Sequence, residues 1–328
     1  MIISYAGRDD DAFRRNTEAI IRSLSVQNRA SEARTLREAL RPVSSKAGDI
    51  RSGQSTNVSV SVLTRQSPGL ISFLPQMRKR TLVFPEQTQK SVDEVLLEFR
   101  ASDKLAEAGL SPRRKLLFWG PPGCGKTATA QWLAAELGLP CGIVRLASLI
   151  SSYVGETGAN LQRVLQMADQ TPMVLLLDEA DAIAKSRDAE NDVGEMRRVV
   201  NALLQGLDAC TSRHSIVILA SNHTHLFDEA LWRRFDDVVE FPLPSLTERL
   251  KLLRHLTSGL KLKGSLPTVA KNLAGRSYAE LERAVFEVAK SSILNERDSI
   301  PASEIAAASG RLQNKVSAAM RRKKPHSR

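Results

Sequence analysis

The sequence is poor in cysteine and in aromatic residues, and it has no long hydrophobic run. Its three cysteines, at 124, 141 and 210, are too few and too scattered for a disulfide framework or a zinc site. No stretch approaches about eighteen consecutive apolar residues, so a membrane-spanning helix is not expected. The N-terminus reaches Asp9–Asp11 too early for a secretory signal. These absences favour a cytoplasmic protein with no membrane partner.

The excess of positive charge lies at the two ends of the chain. Residues 1–90 hold 15 Lys and Arg against 8 Asp and Glu, and residues 300–328 hold 7 against 1. The middle, 91–299, holds 25 against 27, so the net charge of +11 belongs to the termini. Basic ends of this kind are either charged arms for nucleic acid or an acidic partner, or solvated tails.

A glycine-rich loop is the most informative stretch. It reads Gly120-Pro121-Pro122-Gly123-Cys124-Gly125-Lys126-Thr127, after an apolar run and before a helix-like segment. In that context the G-x-x-x-x-G-K-[ST] pattern predicts a nucleotide site, because glycines let backbone N–H groups surround phosphate oxygens beside a helix N-terminus. Lys126 is then expected to reach the β- and γ-phosphates, and the Thr127 hydroxyl to ligate Mg²⁺.

Two further strand ends carry polar side chains suited to the same chemistry. Asp178 and Glu179 follow the apolar run at 174–177, and Asn222 closes the run that starts at 216. Ligands of open α/β sheets bind at the carboxyl ends of strands. We therefore expect Asp178 to hold Mg²⁺, Glu179 to act as general base on water, and Asn222 to orient water or contact the γ-phosphate.

A pair of arginines, Arg233 and Arg234, precedes the last predicted strand. They are poorly placed to reach their own phosphates, so either could stabilise transition-state charge in a neighbouring subunit's site.

Apolar strands alternate with helical segments through the central part of the chain. Strands are predicted at 116–119, 141–146, 174–177, 216–220 and 238–241, with a short lead-in strand at 82–84. Such alternation indicates a parallel sheet covered on both faces, an α/β fold. After residue 244 the strand signals stop, and capping boxes at Ser245–Glu248 and Ser277–Glu280 start helices of a small helical domain.

Taken together, these motifs resemble those of the AAA group of AAA+ ATPases. The resemblance runs from about residue 85 to 308 and is carried by GPPGCGKT, LLLDEAD, ILASN, ALWRRFD and GRSYAEL. It implies a P-loop αβα domain with a helical lid, and a homo-oligomeric ring, usually hexameric, with ATP at the subunit interfaces. It also implies a nucleotide-binding set that comprises loop residues 120–127 with Ala128, Asp178 and Ala279.

The resemblance, together with the composition of the two ends, predicts four parts of the chain. Residues 1–80 form a basic N-terminal helical region and linker, 81–244 the nucleotide-binding domain, 245–310 the helical lid, and 311–328 a basic tail. Tyr153 and Val154 lie in a segment similar to the first pore loop of protein-remodelling members, where an aromatic ring grips an extended polypeptide. The implied function is remodelling, unfolding or translocation of protein substrates, driven by hydrolysis of ATP with Mg²⁺ as the metal cofactor.

The sequence departs from the family pattern at several places, of which Cys124 in place of a more usual Thr is a mild one because that position contributes mainly backbone. The two arginines are adjacent, so which one reaches across an interface stays open, and Tyr278 stands where the lid usually has Gly. The usual Asp-Ile-Gly-Gly lead-in is also absent, which leaves base specificity open. Two alternative functions remain: a nucleic-acid motor or loader that uses the basic ends, and a regulatory ATPase that switches a partner such as a protease. The first is disfavoured because the body is not basic and lacks an aromatic-rich basic surface.

Overall fold

The computed structural model describes residues 69–75, 82–152, 156–182, 193–223, 229–297 and 299–311. All of them belong to one compact unit, Ser55–Arg328. The predicted basic region before residue 69 and the basic tail after residue 311 lie outside the described residues.

A six-stranded sheet lies at the centre of this unit. Its strands are β1 (Ser72–Leu74), β2 (Lys115–Trp119), β3 (Cys141–Arg145), β4 (Val174–Asp178), β5 (Ile216–Ser221) and β6 (Asp237–Glu240). The order across the sheet is β1-β3-β4-β5-β2-β6, and every neighbouring pair is parallel except β1 with β3. The predicted α/β fold with a parallel sheet is confirmed, and the five predicted strands are β2 to β6.

Two details of the sheet differ from the prediction. The antiparallel edge strand β1 was not predicted, and its residues fall before the boundary drawn at residue 80, yet they pair with β3. The lead-in strand predicted at 82–84 is wrong, because these residues belong to no strand. Val83 is buried in the core of the C-terminal helices instead, and Phe84 packs against the core on one face of the sheet.

Helices cover both faces of the sheet and form the C-terminal part. Those that precede the last sheet strand are α1 (Glu86–Arg100), α2 (Ser102–Glu107), α3 (Lys126–Leu137), α4 (Leu146–Ser152), α5 (Thr157–Gln170), α6 (Val193–Ala209) and α7 (Glu229–Trp232). The later elements are α8 (Leu246–Leu256), β7 (Leu262–Lys263), α9 (Leu266–Asn272), α10 (Tyr278–Leu294), β8 (Ile300–Pro301) and α11 (302–311). Within the described ranges, no helix is long and apolar enough to cross a membrane.

The uniformly apolar strands are explained by burial on both faces of the sheet. Successive residues of a strand point to opposite sides, so Leu117 joins one core with residues of α5 and α6, while Leu116 and Phe118 join another with residues of α1 and α3. Complete burial of one such side chain contributes about 1.5–3 kcal/mol. Both layers of helices are therefore held by the same short strands.

The C-terminal helices surround a core of their own, built from residues of α8, α9, α10 and α11. Both predicted capping boxes are present. Ser245 Oγ accepts the N–H of Glu248 at the start of α8, and Ser277 Oγ accepts the N–H of Glu280 at the start of α10. Because Ser277 fixes where α10 begins, it also fixes which residues of that helix meet the sheet domain.

Candidate functional site

The glycine-rich loop leaves the carboxyl end of β2 and is packed against the next strand. Gly120 has φ +141°, and a Cβ there would collide with the carbonyl oxygen of Phe241, just after β6. Gly125 precedes α3 with φ +103°. A side chain at residue 120 would therefore push the loop away from the sheet, so this glycine is required by the fold as well as by the phosphate-binding pattern.

Lys126 is buried within this loop, and its amine has three uncharged acceptors. Nζ donates to the carbonyl oxygens of Gly120 at 2.6 Å and Pro121 at 3.1 Å, and to Asn222 Oδ1 at 2.8 Å. Burial lowers the pKa of Lys126, and the negative charge of nearby Asp178 opposes that shift. A buried ammonium group without a bonded carboxylate is suited to meeting an anion.

The end of β4 lies beside the start of α3. Thr127 Oγ1 donates to Asp178 Oδ2 at 3.0 Å, and the backbone N–H of Glu179 donates to Asp178 Oδ1 at 2.9 Å. Glu179 is exposed and has φ +60°, a left-handed conformation that is uncommon for a residue other than glycine. The hydroxyl of Thr127 and the carboxylate of Asp178 therefore lie together, and the carboxylate of Glu179 belongs to the next residue.

These donors fit a magnesium ion that takes most of its ligands from elsewhere. Mg²⁺ is usually held by one or two protein oxygens together with phosphate oxygens and waters. Thr127 and Asp178 supply such a pair, 3.0 Å apart. The described residues contain no group of three or more His, Cys, Asp or Glu side chains that could hold a metal ion unaided.

Asn222 reaches Lys126 because β5, which Asn222 follows, lies between β4 and β2 in the sheet. Trp119, the last residue of β2, pairs with Ser221 of β5, so the next residue of each strand enters the same space. The Asn222 backbone N–H is 3.5 Å from Oδ1 of the buried Asp181. Strand order, and not sequence distance, therefore brings the amide to Lys126.

A cavity of about 850 Å³ joins these groups to the C-terminal helices. Its polar end is lined by the predicted residues Pro122, Gly123, Cys124, Gly125, Lys126, Thr127, Ala128, Asp178, Glu179 and Asn222. Gly120 and Pro121 do not line it, and act through their carbonyl contacts with Lys126. The lining also includes Leu82, Val83, Phe84, Leu252, His255, Leu256, Tyr278, Ala279, Glu282 and Phe286, which come from the segment before α1 and from α8 and α10.

The sequence motifs pointed to two of these residues, Tyr278 and Ala279, and the others lie outside the motifs. The start of α10 contacts the loop directly. The Ala279 N–H donates to the Gly123 carbonyl at 3.1 Å, and a Cβ on Gly123 would lie 2.8 Å from Ser277 Oγ. The capping box at Ser277 was the available signal that this helix end is fixed.

The two arginines lie away from the cavity. Both are exposed after α7, and Arg234 forms an ion pair with Asp208 of α6 at 3.0 Å, with each side chain 45% exposed. Neither arginine is among the described residues that line the cavity. Tyr153 and Val154 lie outside the described residues, so their placement stays a prediction.

The chain is similar to a known family. The model of the ATPase family associated with various cellular activities (AAA) matches residues 116–243. A Sinorhizobium fredii protein named as an uncharacterized AAA family ATPase is 36% identical over 304 residues, which are 92% of this chain and 89% of that protein.

Other relatives are matched over part of their length. The proteasome-activating nucleotidase of Pyrococcus horikoshii is 33% identical over 219 residues, 65% of this chain and 55% of that protein. A putative 26S proteasome regulatory subunit homolog of Methanocaldococcus jannaschii is 30% identical over 221 residues, 66% of this chain and 59% of that protein. The chain therefore spans little more than half the length of these two. Because the Sinorhizobium fredii protein is matched over nearly the whole of both chains, this protein belongs to the AAA family and is an ATPase.

Proposed function

We propose that the cavity binds ATP with Mg²⁺ and that hydrolysis of this ATP drives work on protein substrates in a ring assembly. The proposal rests above all on one observation. Lys126 Nζ and Asn222 Oδ1 are 2.8 Å apart, and Thr127 Oγ1 and Asp178 Oδ2 are 3.0 Å apart, at one end of a single cavity. Four residues predicted for phosphate and metal chemistry thus meet from three separate strand ends.

Each polar residue has a distinct part in this proposal. The buried Lys126 ammonium exchanges its uncharged acceptors for phosphate oxygens. Thr127 and Asp178 hold Mg²⁺, which supplies neutralisation of phosphate charge when it is bound. Glu179 takes a proton from the attacking water, and Asn222 orients that water or contacts the γ-phosphate without adding negative charge.

The left-handed backbone conformation of Glu179 supports different roles for the carboxylates of Asp178 and Glu179. Adjacent residues in an extended strand point to opposite faces, but φ +60° at Glu179 ends the strand and turns its side chain out of that alternation. Asp178 is held by Thr127 and by the Glu179 N–H, while the Glu179 carboxylate remains exposed. One carboxylate is therefore fixed for the metal and the other is accessible to water.

Ring assembly is proposed from the arginines. Arg233 and Arg234 do not line the cavity of their own chain, so a role at the phosphates requires a neighbouring subunit. The Arg234 side chain is 45% exposed even with its Asp208 ion pair. Surface pairs of this kind contribute only about 0–1 kcal/mol, so an interface could draw Arg234 away from Asp208 at little cost.

A protein substrate is proposed from the pore-loop pattern at Tyr153 and Val154 and from the names of the relatives, which refer to proteasome activation and regulation. For the domain organisation we propose the bounds predicted from the sequence, 81–244 for the nucleotide domain and 245–310 for the lid. The parts of regions 1–80 and 311–328 that do not include the sheet strand β1 are then proposed to contact a partner or substrate.

Glu179→Gln tests the chemistry. The variant should bind ATP with unchanged affinity and lose most hydrolysis, since an amide cannot accept the proton from water. Lys126→Ala should lose binding itself. Glu107→Gln, on the exposed face of α2, is the matched control and should hydrolyse ATP normally. Full activity in Glu179→Gln would contradict the assignment of the base.

Subunit mixing tests the ring. Lys126→Ala subunits lack a competent site but keep both arginines, whereas an Arg233→Ala/Arg234→Ala variant keeps the site and lacks the arginines. If an arginine acts across an interface, each variant alone is inactive and an equal mixture recovers part of the ATPase activity. No recovery in mixed assemblies would refute action between subunits.

Tyr153→Ala tests the work on protein. We expect loss of protein unfolding with ATP hydrolysis retained, while Tyr153→Phe, which keeps the ring, retains both. A Tyr153→Ala variant that still regulates a partner fully would favour the regulatory alternative. Binding to nucleic acid that weakens by about one log unit per log unit of salt for each contacted phosphate would favour the nucleic-acid alternative.

A further inference from the structure

Arg249 of α8 is a buried cation whose hydrogen bonds go to backbone carbonyls. The residue is 8% exposed. Its Nε donates to the carbonyl oxygen of Ala270 at 2.8 Å, and Nη1 donates to that of Pro244 at 2.6 Å. The ion pairs among the described residues do not include Arg249. Because a buried charge is costly unless it is hydrogen-bonded, these two bonds define what the side chain does.

The two carbonyls belong to different segments of the chain. Ala270 lies in the last turn of α9, where the N–H of Ala274 bonds to the carbonyl of Lys271 and leaves that of Ala270 without this backbone partner. Pro244 belongs to the linker between β6 and α8. Arg249 therefore joins the linker to both α8 and α9.

The other end of this linker, which comprises residues 242–244, adjoins the glycine-rich loop. Phe241, directly before the linker, has its carbonyl so close to Gly120 that a Cβ on the glycine would collide with it. Two of the three linker residues are proline, whose ring restricts φ to about −65°. The linker is therefore stiff, and its attachment to Arg249 helps to set how the C-terminal helices lie relative to the loop.

The C-terminal helices also contact the loop directly. The Ala279 N–H of α10 donates to the Gly123 carbonyl at 3.1 Å, and α8, α9 and α10 share one core. Cys124, the next residue of the loop, lines the cavity and is 5% exposed. Tyr278 of α10 packs against the core cluster that contains this cysteine. A shift of the C-terminal helices should therefore change how well Cys124 is covered.

We propose that Arg249 is a positioning residue of the ATPase site, which fixes the C-terminal helices to the linker and so holds their cavity-lining residues against the glycine-rich loop. Arg249 is not among the described residues that line the cavity, whereas Leu252 and Leu256 of the same helix are. It acts through such residues. The effect on activity rests on the proposed nucleotide function of the cavity, but the effect on the position of the helices holds without a ligand.

The reaction rates of the three cysteines with a neutral thiol reagent test the position of the helices. The rates are measured residue by residue by mass spectrometry in the ligand-free full chain. Arg249→Met removes both donors and should raise the rate at Cys124 at least about fivefold, because two buried carbonyls lose their partner and local opening becomes easier. The rates at Cys141 and Cys210, which are buried in the sheet domain, should change by less than about twofold.

Val288→Ala is the matched control. Val288 is 2% exposed in the core of the C-terminal helices, so the variant weakens that core and leaves the linker contact intact. The rate at Cys124 should stay within about twofold of the wild type. If Arg249→Met does not fold, Arg249→Lys replaces it, with a smaller increase expected at the same thiol.

Steady-state kinetics tests the effect on activity. Arg249→Met should raise the KM for ATP about three- to tenfold and change kcat by less than about twofold, because the lining from the helices shifts while Lys126 and Glu179 stay in place. A fall in kcat with an unchanged KM would overturn the proposal.

The thiol rates separate the remaining outcomes. Equal increases at all three cysteines in Arg249→Met would show that Arg249 stabilises only the fold as a whole. An equal increase at Cys124 in Val288→Ala would show that any loosening of the C-terminal core has this effect. Either result, or an unchanged rate at Cys124, refutes the positioning role. If ADP with Mg²⁺ does not protect Cys124 in the wild type, the nucleotide site in this cavity is refuted, and the ligand-free rates still decide the role of Arg249.

Discussion

Arg113, two residues before the strand that leads to the phosphate loop, joins three carboxylates from two elements. Its guanidinium lies 2.8 Å from Glu94 and 2.7 Å from Glu98, both on α1, and 3.1 Å from Asp237 of β6. Its backbone N–H also donates to Glu98 at 2.8 Å. The hydrogen bond to Glu98 is the largest influence on the pKa of Arg113 and raises it, against the opposing effect of burial.

Arg113→Met removes the charge and keeps most of the side-chain length. The Arg113 side chain is 29% exposed and its partners are 22–38% exposed, so each pair falls toward the upper part of the 0.2–1 kcal/mol measured for accessible ion pairs. Three pairs, together with the repulsion among the carboxylates left behind, give a loss of about 2–3 kcal/mol in the free energy of unfolding.

Urea unfolding of both proteins at neutral pH measures this difference. The matched control is Arg297→Met, since Arg297 has one carboxylate partner among the described residues, Glu304 at 3.0 Å, with side chains 45% and 38% exposed. We expect a loss of no more than about 0.5 kcal/mol there. High salt should reduce the Arg113→Met loss because these groups are partly accessible to ions. Equal, small losses in the two variants would refute a cooperative network around Arg113.

Three further predictions concern the loop, the helix caps and the buried thiols. Gly120→Ala should prevent nucleotide binding and lower the melting temperature, because the new Cβ meets a backbone carbonyl that cannot move aside; normal ADP affinity would contradict this. Ser277→Ala and Ser245→Ala should each destabilise the protein by about 1 kcal/mol through loss of a cap, but only Ser277→Ala, beside the loop, should weaken ADP binding in calorimetry. Burial raises the pKa of Cys141 to about 12 and of Cys210 to about 11, so the unfolded thiols ionise first as pH rises. Stability should therefore fall by roughly 1.4 kcal/mol per thiol per pH unit, from pH 9 to about 11 for Cys210 and to about 12 for Cys141, and urea unfolding should show a shallower fall in a Cys141→Ala/Cys210→Ala variant.

The parallel strands were predictable because burial on both faces demands an uninterrupted apolar run. Residues 174–177 and 216–220 show this pattern, and β4 and β5 extend only one residue beyond it. The strand β1 was not predicted, since the apolar run around it, residues 70–74, is short and is interrupted by Ser72, and its three residues form a strand by pairing with β3. At 82–84 the apolar pattern misled, because Val83 and Phe84 enter two different cores and no sheet.

In the candidate site, too, local sequence patterns were predictable and tertiary contacts were not. The loop and the carboxylates are recognisable from residue types at short spacing. The bond between Lys126 and Asn222 joins residues 96 apart and depends on the order of the strands, which spacing alone does not determine. The ion pair of Arg234 with Asp208 likewise joins segments that meet only in the folded chain. The same holds for Tyr278, whose side chain packs against the sheet core and against the core of the C-terminal helices.

The segment 82–84, which lies between β1 and α1, has an unusual place in this fold. Leu82, Val83 and Phe84 all line the cavity, and two of them are anchored in separate cores. The connection between β1 and α1 is thus a wall of the cavity itself. One short segment closes the cavity and at the same time joins the core of the sheet to the core of the C-terminal helices.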